Sequence, residues 1–322
     1  MSSDVALQEP GSVAALKAEP TAPHLTMREL VWRRFRRHRM ALAGSIGLGL
    51  LLLFILVGSI LVPESQANSV DLSARLSGPS AAHLMGTDST GRDIFARIIY
   101  GGQISLAVGT LAVFISVMLG TMVGGVAAYS GGASDSVLMR VTDAVLSIPQ
   151  LLLLIVLAKS FSADIPTINV LGRSFSGSVG LVIMVIGFTS WMYLARIVRG
   201  NVLSLREMDF VSASRALGAG PWRIFMRHFV PNTLGAIIVA ATLGLAAAIL
   251  TEAYVSFLGL GIQPPTASWG NILTSAQSFI QRGAWWMWVF PSIFIILTIL
   301  FINLMGDGLR DALDPRITKS DL

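Results

Sequence analysis

The sequence contains no cysteine, which excludes disulfides, thiolate metal sites and a cysteine nucleophile. Its three lysines, Lys17, Lys159 and Lys319, never follow a glycine. A phosphate-binding P-loop needs Gly-Lys followed by Ser or Thr, so this chain cannot itself be a P-loop ATPase. Its four histidines, His24, His38, His83 and His228, are scattered without metal-ligand spacing, and neither HExxH nor GxSxG occurs. An enzyme active site and a metal centre are therefore both unsupported. Charge is scarce as well: 13% of residues are charged, against about 25% in a soluble domain.

What replaces charge is apolar length. The chain is 53% hydrophobic with 31 glycines and a mean hydropathy of +0.71. Because a bilayer core takes about 20 apolar residues of helix, the runs predict about six transmembrane spans, at 40–62, 104–129, 138–158, 179–198, 233–257 and 287–305. The first follows RRFRRHR at 33–39; it is too long for a signal-peptide core and lacks a cleavage site, so it reads as a retained helix. The net charge of +5 sits mostly beside these runs and reads as a topology signal rather than a nucleic-acid surface. Both termini and the loops 130–137 and 199–232 then face the cytoplasm. The latter region carries Arg199, Arg206, Arg215, Arg223 and Arg227, whereas the last outer loop has Arg282 alone. Trp285, Trp286, Trp288 and Phe290 form an aromatic anchor at the outer end of the last span. Residues 1–25 have the composition of a disordered tail.

The expected division is a cytoplasmic tail at 1–39, a first span and outer loop at 40–103, a core transmembrane domain at 104–308 and a second cytoplasmic tail at 309–322. Within the outer loop, HLMGTDSTGRDIFARIIYGGQISL (83–106) predicts an amphipathic helix lying on the interface. Asp88 or Ser89 would cap it, Ile94, Phe95, Ile98 and Ile99 would form its apolar face, and Gly101-Gly102 would end it. Two spans carry a small residue at every fourth position: Ser116, Gly120, Gly124, Ala128, and Ala236, Ala240, Gly244, Ala248. Such rows let helix backbones approach closely. Glu252 continues the second row, and Asp143 with Ser147 one turn on lies in the third span. For these ionisable sites a place on a translocation pathway competes with a structural hydrogen bond. Pro149 and Pro291 predict kinks.

The segment DFVSASRALGAGPWRIFMRHFVPN (209–232) interrupts two spans. Phe210, Ala213 and Leu217 recur at helical spacing with Arg215 opposite. Gly218 to Gly220 stop that helix and Pro221 opens a second one, on which Ile224, Phe225, His228 and Phe229 share a face before Pro231 ends it. A basic helix resting on anionic lipid would explain the arginines. It does not require the small residues Ala213, Ala216 and Gly218, which favour a close-fitting protein partner.

This segment resembles the cytoplasmic motif of the permease subunits of bacterial ABC importers, E-A-A-x-x-x-G followed after a fixed gap by I-x-L-P. The frame here is Ser212-Ala213-Ser214, Gly218, then His228-Phe229-Val230-Pro231, with the spacing kept and Ser, Ser and His standing for Glu, Ala and Ile. HLMGTDSTGRDIFARIIYGGQISL, ASRALGAGPWRIFMRHFVPN and TEAYVSFLGLGIQPPTASWGNIL look like the C-type permeases of the dipeptide, oligopeptide and nickel group. The resemblance implies an all-α, polytopic type I importer permease in the inner membrane that works by alternating access. It implies a B-type permease as heterodimer partner, two P-loop ATPase subunits carrying ATP and Mg, and an extracytoplasmic solute-binding protein. This chain would hold no cofactor and would catalyse nothing. The coupling helix at about 206–230 would dock on an ATPase through Ala213, Arg215, Ala216, Leu217 and Gly218, with His228 and Pro231 completing the motif. Peptides are the expected cargo, with a nickel chelate or glutathione as the alternative. An ATP-independent secondary transporter is the rival class, but paired broken helices carrying ion-binding residues, its usual mark, are not evident.

Overall fold

The structure is a computed structural model and describes residues 26–161, 168–170 and 173–313; the expected tail at 1–25 and the last residues of the second tail lie outside the described residues. The chain begins with α1 (Met27–Arg37), whose N-terminus carries a reciprocal cap between Thr26 and Glu29. His38 separates it from α2 (Arg39–Leu61) and caps the latter, the Ala41 N–H donating to Nδ1 at 3.0 Å. The basic flank is thus a helix of its own rather than the start of the first span. A short α3 (Glu64–Asn68) leads into an irregular lobe and then α4 (Ile94–Ser130). After α5 (Gly132–Leu146) and α6 (Gln150–Phe161) comes a small antiparallel ribbon, β1 (Ile168–Val170) with β2 (Arg173–Phe175), where Ile168 faces Phe175. The rest is helical: α7 (Ser178–Arg206), α8 (Asp209–Ala216), α9 (Pro221–Ile224), α10 (Val230–Phe257), α11 (Trp269–Ala276) and α12 (Trp286–Leu313).

By length and composition α2, α4, α7, the stretch Pro221–Phe257 and α12 can each cross a membrane, and α5 with α6 makes a sixth span when the two count as one. In that third span, expected at 138–158, the kink predicted at Pro149 is a full break between two helices. Its halves meet at 82° around Pro149, whose carbonyl accepts the Leu153 N–H at 3.2 Å and so starts α6 afresh.

The predicted interfacial helix is corrected more thoroughly. Residues 94–102 are the first turns of the 37-residue α4, which runs unbroken through Gly101 and Gly102. Ile94, Ile98 and Ile99 are fully buried rather than laid on lipid. The two glycines serve packing: a Cβ on Gly101 would come within 3.2 Å of the Ser268 Cα, and one on Gly102 within 2.8 Å of the Trp269 ring. Neither Asp88 nor Ser89 caps this helix. Asp93 does, taking the Ala96 N–H at 2.9 Å. Asp88, 1% exposed, instead organises the lobe before it. It accepts the Thr90 N–H and hydroxyl at 2.8 Å and the Arg92 Nε at 2.7 Å. Burial pushes its pKa up, but the Arg92 charge and the Thr90 hydrogen bonds together outweigh burial and hold it below the usual carboxylate range. Gly91, at φ +80°, passes so close to the Asp71 carbonyl that no side chain fits.

The centre of the bundle is the long contact of α4 with α7, with α10 packed against both and against α12, while α2 lies on α12. The first small-residue row makes the α4–α7 contact possible. Ser116, Gly120, Gly124 and Ala128 are all buried; a Cβ on Gly120 would stand 2.8 Å from the Trp191 carbonyl oxygen, and one on Gly124 would strike the Ala195 backbone. The second row behaves differently, because Gly244 has only a Val113 methyl within 4 Å, at 3.8 Å.

Candidate functional site: a groove and a protruding helix

The second row lines a groove of about 350 Å³ between α4, α7 and α10. Ala240, Gly244 and Ala248 form one wall, and Ser116, Thr189, Ser190, Tyr193 and Thr251 supply hydroxyls. No charged side chain lines it among the described residues. Such a surface offers hydrogen bonds to a polar solute without the fixed charge that would trap it. Tyr193, 68% exposed, is the lining's one aromatic ring. Ser116 belongs to the first small-residue row, but no local pattern marks Thr189, Ser190, Tyr193 and Thr251, and only the crossing of three helices brings these hydroxyls together.

None of Asp143, Ser147 and Glu252 lines this groove. Asp143 receives the Arg196 guanidinium at 2.6 Å, an exposed ion pair joining α5 to α7. Arg199 holds Asp135 by two further bonds of 2.6 Å between the same helices. The Ser147 hydroxyl donates to the Ala144 carbonyl at 2.7 Å within its own turn. Glu252 is fully buried at the groove's far end, bonded to Ser105 and Ser256 at 2.8 Å each.

At the opposite end α8 protrudes between α7 and α10. The row Phe210, Ala213 and Leu217 is turned outward, with Leu217 89% and Phe210 40% exposed, and Val211 is the residue of this helix that is buried. Ala213, Arg215, Ala216 and Gly218 are exposed beside Leu217. The helix ends in a Schellman motif, with Ala219 N–H donating to the Ser214 carbonyl at 3.0 Å and Gly218 N–H to that of Arg215 at 2.9 Å. Gly218 takes φ +80° and has open space around it, so glycine is needed here for backbone conformation.

The inner side of α8 is firmly attached. Val211 packs with Val198 and Val202 of α7, Ala128 of α4, and Ile224, Phe225 and Phe229. The Ser214 hydroxyl gives its proton to the Phe210 carbonyl at 2.8 Å, so the His228 Nε2, 3.2 Å away, must be the N–H that donates to Ser214. The Arg215 guanidinium lies 5.3 Å from the centre of the Tyr129 ring. Pro231 does not end a helix, as the sequence suggested. A π-turn at Phe225–Phe229, closed by the Val230 N–H on the Phe225 carbonyl, widens the coil ahead of the proline, and Pro221–Phe257 continues as one span.

Comparison with known proteins agrees with this architecture. The family described as the binding-protein-dependent transport system inner membrane component matches residues 116–319, and the N-terminal TM domain of oligopeptide transport permease C matches residues 26–79. The chain is 40% identical over 297 residues to the dipeptide transport system permease protein DppC of Bacillus subtilis, covering 92% of this chain and 88% of that protein. It is 41% identical to a putative peptide permease protein of Brucella suis, over 88% of this chain and 89% of the other. A glutathione transport system permease protein, GsiD of Pectobacterium atrosepticum, is 39% identical over 89% of this chain and 90% of its own length. Among solved structures, an inward-facing form of the MetNI methionine ABC transporter superposes with a TM-score of 0.52 at 18% identity, covering 69% of this chain and 98% of that one. At that identity the likeness concerns the fold.

Proposed function

We propose that this chain, which belongs to the family of binding-protein-dependent transport system inner membrane components, is the permease subunit of an ATP-driven importer of peptides. The protruding α8 with its anchored inner side carries this reading. A membrane subunit without a P-loop must receive its energy through a surface, and α8 offers small exposed residues at a place where movement would be felt by α4, α7 and α10 together. Those are the helices that wall the groove.

On this reading Ala213, Arg215, Ala216, Leu217 and Gly218 contact an ATPase subunit, which binds ATP and Mg. His228 ties α8 to the span that runs on through Pro231. The end bearing α8 faces the cytoplasm together with both termini. A B-type permease covers the open side of the groove, and an extracytoplasmic solute-binding protein delivers cargo to the other end. ATP-driven closure of the ATPases would displace α8, and alternating access follows if the contacts of α8 differ between the ATPase states. Relatives named for dipeptides, peptides and glutathione favour short peptides, glutathione being itself a small γ-linked peptide.

The absence of native cysteine gives a direct test. In membranes holding the whole complex, Ala213→Cys should cross-link through a short bifunctional thiol reagent to a cysteine placed on the ATPase surface, and ATP should change the yield. A cysteine at Ile296, 61% exposed on the side of α12, should give no such product. If Ala213→Cys yields no product with an ATPase in any nucleotide state, the docking assignment is wrong.

A further inference from the structure

Glu252 is fully buried, and among the described residues no ion pair neutralises it. What surrounds it is hydroxyl. The Ser105 Oγ–H donates to Oε2 and the Ser256 Oγ–H to Oε1, each at 2.8 Å. Each of these serine oxygens also accepts a backbone N–H, from Trp269 at 3.2 Å and from Ile262 at 3.1 Å. Ser268, a further hydroxyl at the carboxylate, accepts the Asn271 N–H at 3.2 Å. A hydroxyl has one proton to give. With their oxygens taken up by amides, Ser105 and Ser256 both give that proton to Glu252, and only a group with acceptors on both sides satisfies them at once.

The amides held in this way belong to the non-helical strap 258–268 and the start of α11. The strap is tied to the start of α7 too, where Gln263 N–H donates to the Ser178 hydroxyl at 3.0 Å and Ser176 N–H to the Thr266 hydroxyl at 2.8 Å. Its Leu260 and Ile262 pack into one apolar cluster with Ala112, Ile186 and Ala248, and those three are also groove-lining residues. The strap therefore sits as a cap on the end of the groove away from α8.

We infer that Glu252 is a positioning residue, which acts through Ser105 and Ser256 to hold the strap 258–268 closed over the outer end of the groove and does not itself touch the cargo. The inference rests on the importer reading only in naming that end the outer one and the groove a pathway. Glu252→Gln replaces one acceptor by an NH2 donor, so one of the two serines loses the acceptor for its hydroxyl proton and, with it, the orientation that fixes the Ile262 or Trp269 amide. Glu252→Asp keeps two acceptors.

The test uses the assembled complex in right-side-out membrane vesicles, with Thr251→Cys as a reporter in the groove and Val202→Cys as a buried reporter near α8, each probed by a membrane-impermeant maleimide. Glu252→Gln should raise the labelling rate of Thr251→Cys about tenfold by favouring local opening, leave Val202→Cys unlabelled, and be partly reversed in Glu252→Asp. Unchanged labelling of Thr251→Cys, or equal rises at both reporters as in general loosening, would overturn the inference. ATPase stimulation by peptide-loaded binding protein is read in the same vesicles loaded with ATP. Its absence in the parent complex would remove the importer reading while the labelling result still decides the role of Glu252.

Discussion

Gly218→Asp is expected to reduce peptide uptake to background while the chain still accumulates in the membrane. Gly218 has φ +80° and nothing within 4 Å of an added Cβ, so the substitution creates no clash inside this chain. Its cost to the fold is that of a left-handed backbone on a residue with a side chain, about 1 kcal/mol, and aspartate tolerates that region better than most. The large effect falls on the surface: a carboxylate placed beside Leu217 and Ala213, where an ATPase would come close. Gly218→Ala applies the same backbone strain without the charge and should keep much of the uptake. Uptake of a labelled peptide by cells, set against the amount of chain in the membrane fraction, checks both. Equal loss in the two variants would assign Gly218 to helix termination alone, and normal uptake by Gly218→Asp would remove α8 from the coupling path.

The second large effect is on folding. Gly124→Leu should prevent stable accumulation of the protein, because its first side-chain atom would meet the Ala195 backbone, which no rotamer change relieves. Overpacking commonly costs about 1–3 kcal/mol, and here α4 and α7 would have to separate along their main contact. Gly244→Leu is the counterpart. Its nearest neighbour is a Val113 methyl 3.8 Å away and it faces the groove, so the chain should accumulate normally and fail in transport. Membrane abundance and thermal unfolding in detergent distinguish the two variants. Similar stability for both would mean that the two rows of small residues do the same work.

That contrast also marks how far sequence reasoning reaches. Both rows are visible as spacing, but spacing does not say what a row faces; one meets α7 and the other a cavity. Span positions were legible because the apolar runs are long, and the break at Gly218 because a left-handed cap leaves a local signature. Gly101-Gly102 was misread as a stop, since the Ser268 and Trp269 that require small residues there are more than 160 positions away in the chain. Pro231 was misread because a π-turn, invisible in composition, lets the helix continue. Glu252 stood out as an ionisable residue in an apolar run, and Ser256 four residues on could be seen to share its face. Its other partner, Ser105, lies 147 residues away, so only the fold shows the pair of serines between which it is held.

On the proposed reading this chain turns ATP hydrolysis elsewhere into passage of a peptide along its own groove. The most direct test of that reading is accumulation of a labelled dipeptide inside proteoliposomes that contain the complex purified through this chain, with binding protein on the outside and ATP within. Accumulation above the external concentration is expected; it should require ATP, the ATPase subunits and the binding protein, and Gly218→Asp should abolish it. Accumulation driven by an ion gradient with no ATPase present would contradict the reading.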